Sequence, residues 1–158
     1  MLFTERVDQI KDHALDFARR KEITSPFLFV GKEDEFTGGP VVMGAIGEDG
    51  KPTMISMPPR EWLPMLLKDM QPDSYVVAIE AYIKAMHPED VSLYEHGDIA
   101  EDPDSKEHLL VFGCERPGPM HFWTALITND DNGRTIGEWK LVSDSDDIIN
   151  GVLAITEW

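Results

Sequence analysis

The sequence predicts an α+β fold, a mostly antiparallel twisted sheet with an N-terminal amphipathic helix and one or two further short helices. Three observations carry this expectation. Apolar residues recur at helical spacing near the start of the chain, at Val7, Ile10, Ala14 and Phe17. Short β-prone runs follow, bounded by Gly, Pro, Asn and Asp. The length, 158 residues, suits a single domain over 1–158. A chain of that size buries roughly 68–70% of its unfolded surface, so it folds without a metal or disulfide. The single cysteine forms no internal disulfide.

Taken in order, Thr4 to Lys21 reads as a helix with Thr4 as N-cap. Ser25-Pro26 breaks the chain, Phe27 to Val30 is a short strand, and Gly31 to Pro40 reads as a polar loop. Val41 to Ile46 and Thr53 to Met57 flank Gly47-Glu48-Asp49-Gly50, a hairpin signal. Pro58-Pro59 opens a second helix that ends near Met70, and Pro64 is expected to kink or restart it. Tyr75 to Lys84 is apolar on both faces and reads as a central strand, with Val76, Ala78, Glu80 and Tyr82 on one side. Three strands close the chain (Glu107 to Glu115, Met120 to Asn129 and Arg134 to Val142), and a last short helix is expected from Ser143.

Thirty acidic side chains against fourteen basic ones give a formal net charge of −16. Nucleic acid and anionic membrane are therefore excluded as expected partners. Arg19-Arg20-Lys21 is the one basic cluster, and a helix C-terminus explains it. Between Met86 and Glu107 eight carboxylates face only Lys106. Such a run is a solvated loop, a docking site for a basic protein, or a mimic of a nucleic-acid backbone. Acidic residues where a signal peptide needs an apolar core, and no apolar run of about 18–20 residues, make a cytoplasmic protein the expectation.

Register offers one candidate site. An even loop at Arg116–Pro119 opposes Cys114 to His121, Phe112 to Trp123 and Leu110 to Ala125. A type I′ turn at Asn132-Gly133 opposes Leu126 to Trp139 and Thr124 to Leu141. Leu126 and Trp139 then share a core face with Leu109 and Phe122. A neighbouring imidazole lowers a thiol's pKa, so Cys114 and His121 are candidate catalytic residues or two zinc ligands. The competing reading is a thiol packed as a small hydrophobe.

Glu80 is the other candidate, because a carboxylate in an apolar strand is costly to bury alone. With His87, Asp102 or Asp104 it would hold a divalent metal or act as a general base. The plainer reading pairs it with a Lys or Arg, or leaves its face exposed. Phosphate-loop, zinc-deaminase and calcium-loop patterns each fail on a required position. No cofactor is expected.

Glu80-Ala81-Tyr82, the acidic segment, Asp102-Pro103-Asp104-Ser105-Lys106-Glu107, a strand and the Arg116-Pro117-Gly118 turn resemble an uncharacterised group of small bacterial and phage proteins. The resemblance spans roughly residues 75–140. It implies no activity, only that Glu80 and the 104–107 segment form one unit. The expected function is non-enzymatic: a binding or adaptor module that contacts a basic protein through the 86–107 loop, or a second copy of itself across a sheet edge. The alternatives are a small metal-dependent hydrolase centred on Glu80, His87, Asp102 and Asp104, and a nucleic-acid mimic.

Overall fold

The computed structural model describes residues 2–23, 25–42, 44–54, 59–83, 106–116 and 120–141. In chain order the elements are α1 (Phe3–Arg20), β1 (Phe27–Lys32), β2 (Glu35–Pro40), β3 (Gly44–Ile46) and β4 (Pro52–Met54). They continue with α2 (Pro59–Met70), β5 (Ser74–Ile83), β6 (Lys106–Glu115), β7 (His121–Asp130), β8 (Gly133–Ile136) and β9 (Lys140–Leu141).

Seven strands form one sheet in the order β2-β1-β5-β6-β7-β8, with β9 also pairing β7, and every described pair is antiparallel. β3 and β4 form a separate hairpin. The α+β expectation holds. No described helix is long and apolar enough to cross a membrane.

Each helix buries one sheet face. α1 lays Phe3, Val7, Ile10, Ala14 and Ala18 against Val76, Ala78, Leu109, Val111, Ala125 and Ile127. α2 lays Trp62, Leu63 and Leu67 against Leu28, Tyr75, Val77, Leu110, Phe112, Cys114 and Phe122. β5 and β6 thus feed apolar side chains to both faces, which is why neither strand alternates with polar residues.

Several local expectations change. The first helix begins at Phe3, with Leu2 as N-cap and the Glu5 side chain accepting from the Leu2 N–H, so Thr4 lies inside it. Residues Glu35–Pro40, expected as loop, are an edge strand. Glu33 takes a left-handed φ of 57° at the turn, and its N–H donates to Asp73 Oδ2 at 2.8 Å. α2 runs through Pro64 without a break. It stops where Gln71, at φ 47°, donates its N–H to the Leu67 carbonyl.

The β6–β7 register is shifted by one residue from the expected pairing. Phe112 opposes Phe122, Gly113 opposes His121 and Leu110 opposes Thr124. In the last hairpin Asp130 opposes Gly133, so the two-residue turn is Asp131-Asn132. The expected Arg134–Val142 strand is broken: Gly137 donates to the Leu126 carbonyl, and pairing resumes one residue out of step with Trp123 opposite Leu141. Trp139 still packs on the α1 side, while Leu126 is 40% exposed and outside that core. The expected final helix and nearly all of the acidic segment lie outside the described residues.

Candidate functional site

Glu80 follows Val76 and Ala78 on the α1 side of β5, so its carboxylate arrives beneath the end of α1. Arg134 reaches the same point from β8. Its Nη1 donates to Glu80 Oε1 at 2.8 Å and to the Ala18 carbonyl at 3.0 Å, satisfying one of the unpaired carbonyls at a helix C-terminus. Its Nη2 donates to Glu80 Oε2 and, at 3.1 Å, to Glu107 Oε1 on β6. The Ile23 N–H donates to Glu80 Oε1 at 3.0 Å, and Asn129 Nδ2 donates to Glu107 Oε2 at 3.2 Å. One guanidinium therefore ties together α1, β5 and β6.

The Glu80 side chain is 3% exposed and that of Arg134 is 16% exposed. The hydrogen bond to Glu80 holds Arg134 above its already high usual pKa, the charges of Glu80, Glu107 and Glu22 add to this, and burial opposes it. Oxygens of Glu22, Glu80 and Glu107 all lie within 4.8 Å of one another. The countercharge in their midst is Arg134. With both Glu80 oxygens engaged, this carboxylate is an anchor for the chain ends around it. A cleft of about 380 Å³ opens beside it, lined by Arg19, Arg20, Lys21, Glu22 and Tyr82 among others.

The shifted register separates Cys114 from His121. Cys114 lies on the α2 side, 4% exposed, opposite Tyr75. Across the strand pair it neighbours Tyr75, whose phenol pKa is pushed far above its usual value by burial first and by Cys114 second. His121 lies on the α1 side, with its ring 5.8 Å from that of Trp123. The two do not form a nucleophile–base pair or a shared metal site. His87, Asp102 and Asp104 lie outside the described residues.

Sequence reasoning singles out neither Glu22 nor Arg134, and it reaches Glu107 only through the resemblance that joins the 104–107 segment to Glu80. The available signal was Glu80 itself, since a buried carboxylate requires a cation, but nothing in the spacing names Arg134.

The other charged feature is the outer face of α1. Glu5, Asp8, Asp12 and Asp16 are all exposed. Their spacing places them in one stripe about 16 Å long, opposite the buried face. Asp8 pairs with the half-buried Lys11 at 3.6 Å, and Asp16 makes an exposed pair with Arg20 at 2.9 Å. The Lys11 Nζ also lies 5.0 Å from the Trp123 ring centroid and 5.7 Å from that of Trp139. In the first turns of α1, Arg6 donates to the Asp34 carbonyl in a second cleft of about 310 Å³ that Glu33, Asp73 and Glu115 also line.

Comparison of the chain with family models, characterised proteins and solved structures returns no match.

Proposed function

We propose that the protein is a non-enzymatic binding module whose acidic surface docks a cationic surface of another protein. The observation that carries this reading is the exposed carboxylate stripe on α1, Glu5, Asp8, Asp12 and Asp16, on a rigid helix of a chain with net charge −16. A fixed row of like charges raises the local concentration of a cationic partner and speeds its encounter. The 86–107 segment adds eight carboxylates to the chain's acidic balance. Mimicry of a nucleic-acid backbone is the special case in which the cationic surface belongs to a nucleic-acid-binding protein. The Glu80 oxygens are held by Arg134 and Ile23, and the other residues of the hydrolase reading, His87, Asp102 and Asp104, lie outside the described residues.

The test titrates a lysine-rich peptide against the full chain at several salt concentrations. Saturable binding that weakens with salt is expected. Asp8→Asn/Asp12→Asn/Asp16→Asn should weaken it more than Glu33→Gln/Asp34→Asn/Glu35→Gln, which removes the same charge at another exposed site. Equal losses in the two variants, or binding indifferent to salt, would overturn the reading.

A further inference from the structure

β2 ends the sheet, and among the described residues no strand pairs with its outer side. The Val41 N–H donates to the Pro26 carbonyl at 2.7 Å, and Phe27 opposes Pro40. Antiparallel ladders alternate, so residues 35, 37 and 39 turn their N–H and C=O groups toward β1. Phe36, Gly38 and Pro40 turn theirs outward. Pro40 has no N–H, and it stands at a position where none is needed for the β1 pairing. Gly38 must lack a side chain, because a Cβ there would meet the Leu28 carbonyl and, at 2.6 Å, Phe29. A Cβ on Gly39 would meet nothing within 4 Å. Just past the strand, Val42 is 63% exposed and Ile46 is 79% exposed.

We propose that β2 pairs with the β2 of a second copy, antiparallel about a two-fold axis at Gly38. In that register every outward group but the Phe36 carbonyl, which faces the missing N–H of Pro40, meets a partner. The two Gly38 residues exchange N–H and C=O, and each Phe36 N–H meets the Pro40 carbonyl of the other copy. The acidic turns, Glu33 to Glu35, then lie at opposite ends of the joined strands, beside the uncharged Val41 and Val42. Six residues per strand make a small contact, so the dimer is weak. This pairing does not rest on the cationic-partner reading. Salt separates the two, because screening favours association of two −16 chains and disfavours docking of a polycation.

Sedimentation equilibrium of the full chain over a wide concentration series tests the proposal. The mass should rise from 17.8 kDa toward twice that value, more readily at higher salt. The register opposes residue 37 of one copy to residue 39 of the other. Thr37→Glu/Gly39→Glu therefore places like charges face to face twice and should raise the dissociation constant on the order of tenfold. Thr37→Glu/Gly39→Lys places opposite charges there and should restore pairing. Thr37 is exposed and Gly39 is open, so both variants keep the fold, which circular dichroism verifies. A mass that stays monomeric, or two variants that behave alike, would overturn the pairing.

Discussion

Arg134 and Glu80, 54 residues apart in sequence, meet as a two-pronged ion pair beneath the C-terminal end of α1. Each Nη takes one carboxylate oxygen, and each also donates once more, Nη1 to the Ala18 carbonyl and Nη2 to Glu107. Arg134→Ala would strand a carboxylate that is 3% exposed, with an expected loss of about 3 kcal/mol. Glu80→Ala leaves the guanidinium its contact with Glu107, so about 2 kcal/mol is expected. The double variant should lose less than the sum of the two, because neither charge is then left alone. Urea unfolding of the four proteins closes the cycle, and strictly additive losses would show that the pair does not couple.

Cys114 and His121 lie on opposite faces of the sheet, so the His121 imidazole does not activate the thiol. A thiol reagent should reach Cys114 only through opening of the protein, and its rate should climb with the open population as urea is added. His121→Ala should leave that rate unchanged once corrected for any loss of stability. A thiol that reacts rapidly in the native protein, and slows in His121→Ala, would bring the two residues back together.

The elements that sequence reasoning places correctly are those where one pattern dominates. The α1 periodicity, the two-faced apolar run of β5 and the proline-opened α2 each bury a face that the residues themselves declare. Register is decided elsewhere. The Arg116–Pro119 turn is one residue out of step with an even loop, and that single step carries His121 to the other face while Cys114 stays under α2. Residues 35–40 escape recognition for a different reason. Glu35, Gly38, Gly39 and Pro40 have little β propensity, and their strand exists because β1 pairs with it. Glu80 is legible as a buried charge with something to satisfy. Arg134 is not, since only the hairpin's position over α1 brings it there.

Gly113 is set where β5 and β6 approach closely. A Cβ there would meet the Tyr75 carbonyl oxygen and, at 2.9 Å, the Val76 Cα, both of them backbone atoms that cannot step aside. Gly113→Ala is therefore expected to cost about 3 kcal/mol or more, as overpacking in the middle of a sheet does. Gly39→Ala is the matched control, with nothing within 4 Å, and should be neutral or stabilising by about 0.5 kcal/mol through the unfolded chain. Thermal unfolding of both variants decides the matter. If the two shift the transition equally, the close approach at Gly113 does not exist.

Tyr75 gives the fold a defined alkaline limit. The residue is fully buried, and its phenol is held protonated far above the usual value by burial and by Cys114. In the unfolded chain the phenol ionises near pH 10. Below that value both states keep the proton, so Tyr75 contributes no pH dependence. Above it the unfolded state gives up a proton that the folded state retains, and stability falls as pH rises, by about 1.4 kcal/mol per pH unit for this one group. Urea unfolding at stepped alkaline pH should show that slope, and tyrosinate absorbance should show one of the three tyrosines ionising only as the fold is lost. Tyr75→Phe keeps the ring and removes the titrating group, so its stability should fall less steeply above pH 10 than that of the parent. An unchanged slope in Tyr75→Phe would assign the alkaline limit to other groups.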